Sequence, residues 1–212
     1  MVTKILNLYA CLGGNRFKWD EVAEIQVTAV ELDPELARMY QERFPNDTVI
    51  IADAHQYLLD HYREFDFIWS SPPCPSHSKI NISMKNNRKM QFPDMKLYEE
   101  IIFLKQFFIG KWIVENVIPY YKPLIEAQKR GRHLYWSNFI IPKFKPSDAI
   151  IRRFQIKDLE IHHKIDLSSY KGIQNKRKIG RNLVDYEAGR TILETALGII
   201  RKENVKQTEL FL

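Results

Sequence analysis

Four short apolar runs within the first 70 residues, spaced by turns and helix-forming stretches, constrain this chain more than any other feature. Lys4–Tyr9, Val27–Glu31, Val49–Ala52 and Phe65–Ser70 have strand length and are rich in aliphatic and aromatic residues, the second notably in β-branched ones. Gly13-Gly14 makes a tight turn after the first run, with a helix expected through Glu24. Asp33 precedes Pro34, an N-cap followed by the residue pre-set for the first helical position, and that helix runs to about Arg43. Asp53 caps a further helix over Ala54–Tyr62. Strands alternating with helices at this spacing join by right-handed crossovers into a parallel sheet. Later segments extend the pattern: a helix over Met95–Phe108, a strand over Lys111–Glu115, a further and antiparallel strand over Leu134–Ile141, and a last helix over Tyr186–Lys202. The expected fold is α/β, with a doubly wound, mostly parallel sheet.

The fourth run stops at Ser70-Ser71-Pro72-Pro73, which no central strand can continue, and Cys74 follows at once. Pro73 and Pro75 fix the backbone on both sides, so the thiol sits on a rigid turn at the carboxyl end of a strand. Open α/β sheets carry their chemistry there. A cysteine taken alone is more often a small buried apolar residue. Here the next strand ends in Glu115-Asn116-Val117, so a parallel sheet brings Cys74 and Glu115 side by side. A thiolate beside a carboxyl group suits addition to an electron-poor ring, with the carboxyl group hydrogen-bonding a ring nitrogen as sulfur attacks. The stretch Asn7–Gly14 together with Glu31 reads as a nucleoside site: glycines allow close backbone approach, and an acid at the end of the second strand pairs with ribose hydroxyls. The full G-x-G-x-x-G fingerprint is absent, which favours a cofactor without phosphates such as S-adenosyl-L-methionine. Its carboxylate would lie near a helix N-terminus. Asp53 is placed to accept from an adenine amino group, a role compatible with capping its helix.

The net charge of +6 is compatible with a polyanionic partner without proving one. Between residues 142 and 181 eleven Lys and Arg stand against four acids, and apolar periodicity is weak. Residues 76–94 are polar and basic and read as a long loop of the kind that is usually functional. His162 and His163 are expected at the surface or on phosphate, because no cysteine or carboxylate cluster completes a metal site. Two cysteines, Cys11 and Cys74, are too few for a disulfide framework. No apolar run of eighteen residues and no signal peptide are seen, so a cytoplasmic protein without membrane or metal is expected.

Five motifs in order make a specific resemblance. The glycine loop Tyr9–Gly14, Glu31, Pro72-Pro73-Cys74, Glu115-Asn116-Val117 and Gln128-Lys129-Arg130-Gly131-Arg132 resemble the sequence of motifs in DNA (cytosine-5) methyltransferases of the short phage or bacterial type. Gly180-Arg181-Asn182-Leu183-Val184 is similar to that family's closing Gly-Asn-x-Val, and the likeness spans residues 4–140 and 180–200. Tyr9 and Cys11 stand where the family has Phe and Gly, and Pro75 where it has Gln. The resemblance implies a Rossmann-like, S-adenosylmethionine-dependent methyltransferase fold over residues 1–141, a small basic target-recognition insert over 142–179, and a C-terminal helix over 180–212 that returns to the catalytic part. It implies Cys74 as nucleophile on carbon 6 of a flipped-out cytosine in double-stranded DNA, Glu115 on ring N3, Arg132 and Arg130 as neutralising and orienting groups, and Asn116 as the tether of the Pro-Pro-Cys turn. It assigns the cofactor to Tyr9, Leu12, Gly13, Gly14, Glu31, Leu32, Asp53, Ala54, Pro73 and Asn182. DNA would meet Ser78, Lys85, Asn86, Asn87, Arg88, Lys89, Arg152, Arg153, Lys176, Arg177 and Lys178, with a monomer as the expected working unit. Three rivals remain at this point: an amino-methyltransferase acting on cytosine N4 or adenine N6, the same chemistry on RNA, and a silent nucleic-acid-binding module.

Overall fold

The structure is a computed structural model in which residues 2–79, 91–144 and 155–199 are described. Seven strands form one sheet in the order β3-β2-β1-β4-β5-β7-β6. They are β1 (Thr3–Leu8), β2 (Ile25–Glu31), β3 (Thr48–Ile51), β4 (Phe67–Ser70), β5 (Lys111–Val117), β6 (Gln128–Arg130) and β7 (His133–Ser137). The first five run parallel. β7 is antiparallel to β5 with Glu115 opposite Tyr135, and β6 is antiparallel to β7. The helices are α1 (Pro34–Arg43), α2 (Ala54–His61), α3 (Lys96–Phe107), α4 (Ile156–His163), α5 (Lys176–Asn182) and α6 (Tyr186–Ala196).

Strand alternation divides the core into two layers. Leu6, Leu8, Ile68, Trp112, Val114, Leu134 and Trp136 point to the face covered by α2 and α3. Ile5, Val27, Phe67, Trp69, Ile113 and Tyr135 point the other way, onto Trp19 and the α6 residues Ile192 and Leu193. Because β1, β4 and β5 are buried on both faces, their sequences are apolar runs rather than alternations, which is why these strands were visible beforehand.

Four expectations change. The helix after the glycine turn is a 3-10 helix over Asn15–Glu21, ending before Glu24. It is pinned inward where the Asn15 side-chain amide donates to Asn7 Oδ1 at 2.8 Å and Trp19 Nε1 donates to the Gly189 carbonyl at 3.1 Å. The strand expected over Leu134–Ile141 ends at Ser137, and β6 was not foreseen, because its three residues are polar. Residues 155–182 pack despite their weak apolar periodicity: α4, α5 and the chain between them set Leu167, Tyr170 and Ile179 onto Leu12, Leu36 and Met39. His162 and His163 are buried, not on the surface. His162 stacks on Tyr186 with its Nε2 3.0 Å from Asp185 Oδ2, because the end of α4 docks on the start of α6.

Candidate active site

The carboxyl ends of β1 to β5 open into one cavity of about 860 Å³. It lies where strand order reverses between β1 and β4, the place at which open α/β sheets accept ligands. One end of the cavity is lined by Tyr9, Glu31, Leu32, Asp53 and Ala54, and the other by Cys74, Glu115, Asn116 and His133. Pro73 and Asn182 also line it.

At the first end, Tyr9 and Cys11 adopt left-handed backbone (φ 57° and 48°), as does Gly13 (φ 66°). Three such residues within five bend the chain back beneath the cavity. Gly14 is required for space, since a Cβ there would stand 2.5 Å from the Val184 carbonyl oxygen. Glu31 Oε2 accepts from the Cys11 amide at 2.8 Å and Oε1 from the Asp33 amide at 2.9 Å. Burial pushes the Glu31 carboxyl group up, and those amides work against that shift. Asp33 and Asp53 cap α1 and α2 through Oδ1. The Asp53 amide-capping bond draws its pKa below the ordinary carboxylate range. Hydroxyl donors facing Glu31 and an amino-group donor facing Asp53 match these acceptors. Leu12 is buried in the core below, and Leu12, Gly13 and Gly14 do not reach the cavity surface.

At the second end, the amides of His77 and Ser78 donate to the Cys74 carbonyl at 3.1 and 3.0 Å, closing a helical turn just after the thiol. Asn116 Nδ2 donates to the Pro72 carbonyl at 3.0 Å, which ties the end of β5 to the turn that carries Cys74. Burial and the neighbouring Glu115 push the Cys74 thiol up; Lys178 and Arg181 of α5 pull it down. Glu115 is 6% exposed.

The remaining expected residues are placed as follows. Arg130 does not line the cavity: its Nε donates to the carbonyls of Ile141 and Pro142, both at 3.0 Å, locking β6 to the next segment. Arg132 sits in the exposed hairpin between β6 and β7, outside the lining. Ser78 forms a bridge with Pro119. Lys176 Nζ donates to the Ser168 carbonyl at 3.2 Å, Arg177 is exposed, and Lys178 faces the cavity. The expectations for Lys85, Asn86, Asn87, Arg88, Lys89, Arg152 and Arg153 lie outside the described residues.

Two features of the site were missed. His133 Nε2 lies 3.5 Å from Glu115 Oε1. Strand parity contained the signal, since residue 133 shares a face with 135, which pairs with Glu115, but only once the register is known. Gly172, Ile173 and Gln174 also wall the cavity. Gln174 Nε2 and the Tyr170 hydroxyl donate to Asp33 Oδ2 at 2.8 and 3.0 Å, strapping this segment across the mouth of α1. Nothing local in the sequence marks such a contact 137 or more residues away. Among the described residues no group of His, Cys, Asp and Glu is arranged to hold a metal ion, and no helix is long and apolar enough to cross a membrane.

Residues 3–119 match the family model of C-5 cytosine-specific DNA methylase. No curated protein matches the chain. Among solved structures, a methyltransferase of Entamoeba histolytica, EhMeth, superposes over 95% of this chain and 100% of its own with a TM-score of 0.55 at 9% identity, a likeness of fold. A mutant of DNMT2 from Spodoptera frugiperda shares 24% identity over 54% of this chain with a TM-score of 0.39, and the match spans 35% of its length. With more than half of its residues inside that family model, this chain belongs to the C-5 cytosine-specific DNA methylase family.

Proposed function

We propose that this protein transfers a methyl group from S-adenosyl-L-methionine to carbon 5 of cytosine in DNA through a covalent Cys74 adduct. The observation that carries the reading is the shared cavity: a thiol and a carboxyl group at the ends of adjacent strands β4 and β5 open into the same space as Glu31 and Asp53. Glu31 would hold the ribose diol of the cofactor and Asp53 its adenine amine, and the bound cofactor would supply an electrophilic methyl group.

The chemistry of the chain's own residues follows from their places. The target carbon is out of reach inside a duplex, so the cytosine must leave the stack. Cys74 Sγ, as thiolate, forms a bond to carbon 6. Electron density moves to carbon 5 and N3, where a proton shared with Glu115 stabilises it. Carbon 5 then takes the methyl group; a base removes the proton from carbon 5; the carbon–sulfur bond breaks and returns its electron pair to Cys74. His133 stands beside Glu115 and holds its carboxyl group in orientation. Asn116 keeps the turn in register with β5. Lys178 and Arg181 favour the thiolate and would meet the phosphates of the flipped nucleotide.

The test is nucleoside mass spectrometry of nucleic acid from a methylation-free host expressing the wild type or Cys74→Ala. 5-Methylcytosine in DNA that requires Cys74 is the expected result. The same base in RNA alone would transfer the chemistry to RNA. N4-methylcytosine, N6-methyladenine, or methylation surviving Cys74→Ala would overturn the covalent mechanism.

A further inference from the structure

Glu100 of α3 takes no part in the chemistry above, yet its side chain is wholly buried next to the cavity. A carboxyl group removed from water is costly unless its oxygens find donors. Its Oε1 accepts from the Tyr9 hydroxyl at 2.6 Å and stands 3.1 Å from His55 Nδ1; its Oε2 accepts from Ser70 Oγ at 2.5 Å. No Lys or Arg is among these partners.

The three partners come from three different connections. Tyr9 is the first residue beyond β1 and opens the left-handed turn of the cofactor loop. His55 lies two residues after Asp53, in the first turn of α2. Ser70 ends β4, immediately before Ser71-Pro72-Pro73-Cys74. Each connection contributes to the cavity lining, through Tyr9, Asp53 and Cys74 respectively, while Ser70, His55 and Glu100 do not line it. Ser70 ends a strand whose other three residues are apolar and fully buried, so its hydroxyl group is there for a partner. Glu100 also pulls the His55 pKa up through the same hydrogen bond.

We propose that Glu100 is a positioning residue that fastens the carboxyl-end connections of β1, β3 and β4 to one another, and so sets the cofactor end of the cavity against the nucleophile. This rests on the S-adenosylmethionine reading above. A buried carboxyl group that engages side chains from three connections restrains them together, so it can hold a non-glycine residue such as Tyr9 in left-handed backbone.

Calorimetric titration with S-adenosylmethionine, beside thermal unfolding of the same samples, tests this. Glu100→Gln keeps the shape of the side chain but places an amide donor against hydroxyl donors. We expect it to weaken binding at least tenfold at a temperature where circular dichroism shows intact fold. Ser70→Ala, whose side chain never touches the cavity, should weaken binding about threefold, and the double variant should bind no worse than Glu100→Gln alone. A purely structural role would lower the melting temperature while leaving the affinity of the folded protein within twofold, and that result would overturn the proposal. If Glu100→Gln does not fold, unchanged affinity in Ser70→Ala overturns it equally. Wild-type protein that binds no S-adenosylmethionine would remove the functional reading and this proposal together, whereas tight wild-type binding with indifferent variants removes this proposal alone.

Discussion

At Cys74 the two halves of the site oppose one another. Burial and Glu115 push the thiol pKa up; Lys178 and Arg181 act in the opposite direction. Removing a cation therefore raises the thiol pKa further and leaves less thiolate at a given pH. Iodoacetamide labelling followed by peptide mass spectrometry should show Cys74 reacting with a pH midpoint above the ordinary thiol value, and Lys178→Met should slow labelling at pH 8 by about threefold. Cys11, half-buried and pushed up to about 12, serves as the slow internal reference. Equal rates for wild type and Lys178→Met would show that α5 exerts no field on the thiol. The pair Cys74 and Glu115 was legible in the sequence because each residue ends an apolar run, and successive parallel strands place their ends together. The contact of His133 with Glu115 was not legible, because it depends on antiparallel register across a hairpin whose first strand is wholly polar.

Helices α4 and α6 each hold a buried residue whose burial has little sequence signal. His163 is 2% exposed, and burial, followed by the neighbouring His162, depresses its pKa to about 3. The folded protein therefore favours neutral His163, while the unfolded chain protonates near the ordinary value of 6.5. The stabilisation is complete above pH 6.5 and is lost as pH falls toward 3. Between pH 7.5 and 5 this group should remove roughly 2 kcal/mol, at about 1.4 kcal/mol per pH unit below 6.5. Urea unfolding at the two pH values should show that difference, reduced in His163→Phe; an identical pH dependence in the variant would exclude His163 as its source. In α6, Gly189 lies against the Asn15 carbonyl, and any Cβ there would collide with it. Gly189→Ala should destabilise by about 1–3 kcal/mol, typical of overpacking against backbone that cannot move, read as a lower urea midpoint. Gly189 carries no visible mark of this in the sequence, since its neighbour in space is 174 residues away. The amphipathic face of α6, by contrast, was readable from Ile192 and Ala196, although Ile199, read as part of the same face, lies beyond the helix end at Ala196.

On the scale of the molecule, the net charge of +6 gathers its consequence from α5, where Lys178 lines the cavity and Lys176 and Arg177 precede it on the same short helix. If those three meet phosphates, each contributes about 0.9 to the slope of log affinity against log salt on duplex DNA. Replacing all three with Gln should flatten that slope by about 2–3 in fluorescence-anisotropy titrations of a labelled duplex across salt; an unchanged slope would place the nucleic acid elsewhere. The doubly wound sheet was readable from the N-terminal two thirds of the sequence, because its strands are short, apolar and regularly spaced. The closing third was not, because its burial depends on single contacts such as Tyr170 and Gln174 on Asp33. The packing of α6 on the 3-10 helix of residues 15–21 adds a consequence in time. The 3-10 helix that follows the Tyr9–Gly14 turn emerges from the ribosome early, but its partner is among the last parts of the described chain to be translated. The nascent sheet can pair its strands in order, but the 3-10 helix beneath the cavity gains its buried hydrogen bond to α6 only after translation has passed the codon for Gly189.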